Sequence, residues 1–217
     1  MLVLRTLVAS TTFGLMVVSA VGDALAQSQT ISIIIVRHPE TDQSQPDMLP
    51  LSTRGQARAD LLVQTLRGVK FTHVFASHTT RSRQAVEKVA AAHKLPVMQL
   101  PAPGSMFEGK PVTDQTTRRA PIEPVAAALL KLPAGSVALA GLNSENIYAI
   151  LNKLGIPVAP EGQLCAPGSM CVPCLSNQCY PAKEFDHLWH VVRQPGRAEP
   201  LAYLELRYGV GWPGPGS

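Results

Sequence analysis

The stretch Ile31-Ser-Ile-Ile-Ile-Val-Arg-His-Pro-Glu-Thr41 constrains the fold of this chain more than any other. A β-branched apolar run of this length, without polar alternation, suits a strand buried on both faces, as in a parallel sheet. It ends abruptly in Arg37-His38. In open parallel sheets chemistry gathers at the carboxyl ends of strands, so a cation and an imidazole stand where a rigid floor can present them. Pro39 biases His38 away from helical backbone, and the chain is expected to stay extended through the histidine. A solvated strand end that merely carries two bases fits the same residues, and the strand alone does not choose.

Downstream, the apolar period alternates between strand and helix. Ser52 is placed to cap a helix over 53–66, with Ala57, Leu61, Leu62, Thr65 and Leu66 on one stripe. A strand over 73–77 leads to a helix over 80–94, with Ala85, Val89 and Ala92 inward and Leu95-Pro96 as its stop. Residues 97–100 read as a short strand. Residues 101–121 hold four prolines, two glycines and no period, and read as a long loop. A helix over 122–132, a strand over 136–141 and a helix over 144–154 continue the alternation, and two strands, 185–192 and 201–208, flank a Gln-Pro-Gly-Arg turn. Strands and helices alternating at this size predict an α/β fold, a three-layer α/β/α sandwich around a mostly parallel central sheet. A chain of 217 residues is long enough for one such domain with a sizeable core.

Three segments follow one another at telling spacings: Arg37-His38-Pro39-Glu40-Thr41, then Leu51-Ser52-Thr53-Arg54-Gly55-Gln56-Ala57-Arg58-Ala59, then Ser77 followed by Arg81-Ser82-Arg83-Gln84-Ala85. This succession resembles the histidine phosphatase superfamily, with its phosphoglycerate-mutase-like fold. The family's pattern is R-H-G-E-T at a strand end, then L-[ST]-x-x-G-x-x-[QR]-A, then S-x-x-x-R-[AS]-x-Q-T. The likeness spans about the first half of the chain beyond its leader.

The resemblance implies phosphoryl transfer to His38 through a phosphohistidine. Such chemistry needs a neutral imidazole nitrogen in line with phosphorus, cations around the equatorial oxygens and an acid for the leaving oxygen. It asks for no cofactor and no metal. The other ring nitrogen of His38 must be held by an acceptor, commonly a backbone carbonyl, which fixes the tautomer. Arg37 and Arg81 map onto the family's phosphate-binding arginines, and a planar guanidinium gives two hydrogen bonds at once. Thr41 is a candidate lining residue of the same pocket. Glu40 belongs to the motif and also suits a structural carboxylate paired with a nearby arginine. The family's general acid comes from the loop after the short third strand, where Glu108 is the first carboxylate and Asp114 the fallback. An exposed loop carboxylate is the alternative for Glu108.

The chain departs from the family at two places. Pro39 replaces the motif's glycine and removes a backbone donor beside the nucleophile. Where the family places a second histidine, in a pattern like V-G-H-S-N-T-I, this chain reads Ala140-Gly141-Leu142-Asn143-Ser144-Glu145-Asn146-Ile147. Leu142 fills the histidine's slot, or the register slips by one and Asn143 does. Neither is a cation. Asn143 can donate an amide hydrogen bond, and the following helix N-terminus suits an anion. On the first register, Leu142→His is expected to raise turnover. His78, directly after Ser77, is the other histidine expected in the pocket. His73, His93, His187 and His190 read as structural or exposed, and the offset of three sends His187 and His190 to opposite faces.

Residues 1–26 read as a secretory leader, with Arg5 at its positive start, a mostly apolar or small stretch over 6–21 and Ala24-Leu25-Ala26 as a cleavage site. Ser10, Thr11 and Thr12 interrupt the stretch, which is short for a span, so removal is favoured over anchoring. The expected address is the periplasm or the exterior. One domain runs over 27–209, with a Cys-rich insertion at 160–182 and a loose tail at 210–217. The net charge of +4 suits a small anionic ligand, while no lysine-rich run points to nucleic acid and no second apolar stretch points to a membrane. Cys165, Cys171, Cys174 and Cys179 favour two disulfides in an oxidising compartment, in any of three pairings. A tetrathiolate zinc site or a redox pair at Cys171 and Cys174 is the alternative.

Two functions stand ahead of the rest: an exported phosphatase of small phosphomonoesters acting through His38, and a catalytically weakened relative that binds a phosphorylated or anionic ligand, or a protein partner. A third makes the cysteine loop a metal-binding or thiol-exchange module on an inert scaffold.

Overall fold

The β-branched run becomes strand β1 (Ile31–Arg37), the second of two central strands in a six-stranded sheet. The computed structural model describes residues 29–114, 122–156 and 184–209. In chain order the elements are β1, α1 (Thr53–Thr65), β2 (His73–Ser77), α2 (Thr80–Ala92), β3 (Val97–Leu100), β4 (Met106–Phe107), β5 (Lys110–Pro111), α3 (Ile122–Leu130), β6 (Val137–Leu142), α4 (Ser144–Lys153), β7 (His187–Arg193) and β8 (Ala202–Arg207). The sheet order is β3-β2-β6-β1-β7-β8. The first four strands of that order are parallel, and β7 and β8 close one edge antiparallel. This is the expected α/β sandwich with a mostly parallel sheet.

Both faces of β1 are covered. Ile31, Ile33 and Ile35 pack with Val125 and Leu129 of α3, with Ile147, Ile150 and Leu151 of α4, and with Trp189. Ile34 and Val36 pack on the other face with Leu62 of α1 and Ala85, Val86 and Val89 of α2. Each fully buried isoleucine contributes roughly 1.5–3 kcal/mol. A slip of one residue would exchange the two clusters and turn every side chain over. The register therefore also fixes the faces on which Arg37 and His38 emerge.

Three expectations need correction. The stretch 101–121 is not loop throughout: β4 and β5 form a short hairpin. Its turn, Glu108-Gly109, has φ of 49° and 76°, the doubly left-handed geometry that matches hairpin twist. The buried stripe of α1 is Gly55, Arg58, Ala59 and Leu62, whereas Thr65 is exposed. An arginine turned inward for an ion pair defeats a reading by hydrophobicity alone. In α2, likewise, Ala92 is exposed and Ser82 is buried.

No helix among the described residues is long and apolar enough to cross a membrane. The stretches read as leader (1–26) and tail (210–217), and all four cysteines, lie outside the described residues.

Candidate active site

The ladder of β1 does not stop at Arg37. The His38 amide donates to the Leu142 carbonyl at 2.9 Å, so the histidine is held as one more strand residue at the carboxyl end of the sheet. It is only 7% exposed. Its Nδ1 lies 2.8 Å from the Pro39 carbonyl oxygen. A carbonyl only accepts, so Nδ1 carries the proton and Nε2 keeps its lone pair. Burial, then the positive charge of Arg81, and less strongly that of Arg37, lower its pKa to about 3 against the opposing pull of the Pro39 carbonyl. The imidazole is therefore neutral at any ordinary pH.

Arg37 and Arg81 bring their positive charge to bear on this imidazole from different elements. Arg37, 6% exposed, donates from one terminal nitrogen to the Glu184 carbonyl at 2.6 Å. Its guanidinium carbon sits 4.2 Å from the centroid of the Phe185 ring, a cation–π contact. Arg81 lies in the first turn of α2. Asp114 fixes that turn: one carboxylate oxygen accepts from the Thr80 amide and the other from the Thr80 hydroxyl, both at 2.7 Å.

The second sequence segment supports the nucleophile's loop. The Glu40 carboxylate accepts two hydrogen bonds from Arg58, at 2.9 and 2.7 Å, and pairs with Arg54 at 3.1 Å. Burial alone would raise the Glu40 pKa, but the Arg58 contacts overcome it and hold it below the usual range. Ser52 caps α1 by accepting from the Gly55 amide, and its own amide donates to the Glu40 carbonyl at 3.0 Å. A Cβ on Gly55 would fall 2.1 Å from that carbonyl oxygen, so α1 can approach only where a glycine stands. Glu40 is thus the structural carboxylate of the loop.

At the end of β6, Leu142 is fully buried in the apolar cluster that also holds Ile31, Ile33 and Ile35. Asn143 turns to the other face. Its Oδ1 accepts from the Thr79 hydroxyl at 3.0 Å and the Ser82 hydroxyl at 2.8 Å. Thr79 and Asn143 are the N-cap residues of α2 and α4, yet neither side chain caps its own helix. Instead they bond each other and lock two helix N-termini together. Gly141 permits the approach, because a Cβ there would lie 2.6 Å from the Ser82 carbonyl.

The other candidates fall as follows. Thr41 bridges to Leu51 and its hydroxyl accepts from Gln43 at 2.6 Å. His78 is buried directly after β2, its carbonyl accepting from Gln99 at 3.1 Å. Glu108 is exposed at the hairpin turn, and neither it nor Asp114 hydrogen-bonds His38. His187 and His190 do diverge: His190 bonds Ser32 at 2.8 Å, while His187 sits between Glu184 and Glu205. Sequence reading missed Glu184 and Phe185 as the holders of Arg37. The alternation over 185–192 was visible, but no local signal tied it to β1.

Residues 33–103 match the histidine phosphatase superfamily, branch 1. That segment carries His38, Arg58 and Arg81. A comparison with curated proteins finds no match. Among solved structures, an Escherichia coli K-12 protein described as a candidate alpha-ribazole-5'-P phosphatase is 15% identical, with 82% of this chain and 95% of that one covered at a TM-score of 0.50. At that identity the likeness speaks for the fold alone. An Entamoeba histolytica phosphoserine phosphatase (13% identity, 80% and 96% coverage, TM-score 0.48) and a Plasmodium falciparum phosphoglycerate mutase (15%, 83% and 91%, 0.45) also resemble the chain.

Proposed function

We propose that this chain is an exported phosphatase of small phosphomonoesters that works through a phosphohistidine on His38. One observation carries the reading: a buried imidazole, neutral and with Nε2 bare, stands in the field of two guanidinium groups. In the first step the Nε2 lone pair attacks phosphorus and the ester P–O bond breaks, its electron pair leaving with the alcohol oxygen. In the second, water attacks phosphorus, the P–N bond breaks, and phosphate and free imidazole are released. Arg37 and Arg81 hold the equatorial oxygens in both steps. The Asn143 amide group, its oxygen already engaged by two hydroxyls, offers its N–H donors to the same oxygens.

Of the two carboxylates proposed as the acid for the leaving oxygen, Asp114 is engaged by Thr80 and Glu108 stands exposed at the hairpin turn, so esters whose leaving oxygen is stable as an anion are the better substrates. Aryl phosphates should outpace alkyl phosphates by a wide margin. The test is hydrolysis of p-nitrophenyl phosphate by the wild type and by His38→Ala. A loss of about a thousandfold or more in the variant is expected. Equal rates in the two proteins would remove the nucleophile and leave the second reading, a binder of phosphorylated ligands. Leu142 and Asn143 favour that reading, because they bring no charge to the β6 end.

A further inference from the structure

The end of the sheet opposite to His38 holds a cavity of about 600 Å³. It is lined by the starts of β1 and β6, by β7 and by the loop between α1 and β2. That volume is in the range of small-molecule sites. Ser32, at this end of β1, and His38, at the other, are separated by about 20 Å of extended chain. The cavity is therefore no part of the phosphate chemistry.

Its polar groups follow from the register. β1 pairs with β7 so that Ile34 faces His190 and Ser32 faces Val192. Ser32 and His190 are thus diagonal neighbours on one face, and Ser32 Oγ lies 2.8 Å from His190 Nε2. Burial lowers the His190 pKa below the usual histidine range, so the ring is neutral above pH 7. A neutral imidazole carries one N–H and a serine one O–H. Their shared hydrogen bond uses one of these two protons, so in either tautomer the pair keeps one donor for something else. Ser136 is 4% exposed; its amide donates to Pro133 and its carbonyl accepts from Ser32, while its hydroxyl has no hydrogen-bond partner among the described residues. Lys70 is exposed and forms no ion pair among the described residues. Thr72 adds no donor, because its hydroxyl is engaged with Val137 and His73. Among the described residues no carboxylate lines the cavity, and Val69, Val137 and Val192 make the rest of it apolar.

A buried hydroxyl left unpaired costs stability, and an acceptor brought by a ligand recovers it. One ammonium matches a monoanion and leaves a dianion half compensated. The valines suit an aliphatic tail and offer nothing to a sugar or a nucleotide. We propose that this cavity binds a small aliphatic carboxylate, its oxygens held by Lys70, Ser136 and the Ser32–His190 pair and its tail by the valines. The site stands whether or not His38 turns over a phosphate ester.

Isovalerate is the probe, with isovaleramide as its uncharged counterpart and inorganic phosphate as the anion without a tail. Each is titrated into the full chain at about pH 7.5 and constant ionic strength, with the ring signals of isotope-labelled histidine followed by NMR. His190→Gln identifies the His190 signal by its loss. Isovalerate should move that signal saturably, with a Kd of about 1 mM, and leave the His38 signal in place. Isovaleramide and phosphate should each be at least about tenfold weaker at His190. Lys70→Gln, a change at an exposed residue, should lose about tenfold in isovalerate affinity, and Ser136→Ala about threefold. No saturable movement of the His190 signal by isovalerate overturns the site. Equal affinity for isovalerate and isovaleramide, or for wild type and Lys70→Gln, overturns the carboxylate. Phosphate binding at His190 as tight as isovalerate overturns the aliphatic tail.

Discussion

At its carboxyl end β1 presents Arg37 and His38; at the paired end β6 presents Leu142 and Asn143, Leu142 lying directly across from Arg37 in the parallel register. The two strands share a ladder and a core but end in different chemistries. The β1 end holds charge, and charge near a core has to be held in place. Glu40, Arg58, Glu184 and Phe185 do so, and Asp114 fixes the turn from which Arg81 adds a second cation. The β6 end is neutral, and two hydroxyls suffice to fix Asn143. Positive charge is thus confined to one side of the candidate site, with neutral dipoles on the other.

The largest effect should come from the support under the charged end. Arg58→Ala strands the Glu40 carboxylate, whose side chain is only 17% exposed, with Arg54 as its remaining cation. A loss of about 3–5 kcal/mol is expected from chemical denaturation near neutral pH. Because the folded pKa of Glu40 is lowered, its stabilising share is present above the usual glutamate range and disappears as pH falls through the folded value. The gap between wild type and variant should therefore narrow in acid. A gap independent of pH would mean that Arg58 acts through packing alone.

Next comes the clamp itself. Arg81→Ala should lower turnover of an aryl phosphate by about 10²–10³-fold, the usual loss for one donor at a developing charge. The same change removes the second-largest cause of the low His38 pKa, which should rise and be visible in an NMR titration of the imidazole. In the wild type the acid limb of kcat/KM should show no break near 6.5, since His38 stays neutral down to about 3. Stability follows the same shift with a definite sign. Between about 3 and 6.5 the unfolded chain binds a proton at His38 that the folded chain refuses, so folding weakens as pH drops through that window.

Much of the charged end was legible in the sequence, and the reason is local. His38, Arg37, Glu40 and Gly55 sit in short segments whose spacing is set by one strand, one turn and one helix start, so a pattern can hold them. The sheet was legible for a similar reason: Ile31–Val36 has too many adjacent β-branched residues to leave either face in water. What escaped depends on strands far apart in sequence. Glu184 meets Arg37 across 147 residues, and no local pattern encodes that meeting. Arg58 was hidden differently: a charged residue on a buried stripe reads as a break in the pattern until its carboxylate partner is known. The β4–β5 hairpin was lost among prolines because its strands are two residues each.

The neutral end offers a sharper contrast between adjacent positions. The Leu142 side chain shares its face and its apolar cluster with Ile33 and Ile35, so the sequence-based expectation that Leu142→His raises turnover does not follow from this geometry. An imidazole there has no polar partner in that cluster. Leu142→His should cost about 2–4 kcal/mol in stability, seen in denaturant melts, with no gain in hydrolysis. Asn143→His puts the ring on the other face, beside Thr79 and Ser82, where a hydroxyl can bond one nitrogen and leave the other for an oxyanion. A rise in turnover of about tenfold is expected. A gain from Leu142→His and none from Asn143→His would reverse the assignment of faces at this turn.

The smallest effect concerns a cost that the neutral end already carries. Asn146, in the first turn of α4, is fully buried, and neither polar atom of its side chain has a hydrogen-bond partner among the described residues. A buried amide left unmade costs about 1–3 kcal/mol, more than its replacement by an apolar group of similar size. Asn146→Leu should therefore stabilise the chain by about 1 kcal/mol, raising Tm by roughly 2–4 °C for a domain of this size. Hydrolysis should be unchanged, because the contacts assigned to the oxyanion come from Arg37, Arg81 and Asn143. If Tm rises while hydrolysis falls, the unpaired amide is being kept for the reaction, and the β6 end contributes a second neutral donor rather than one. If Tm drops, the amide is satisfied by ordered water, and the neutral end is as fully hydrogen-bonded as the charged one.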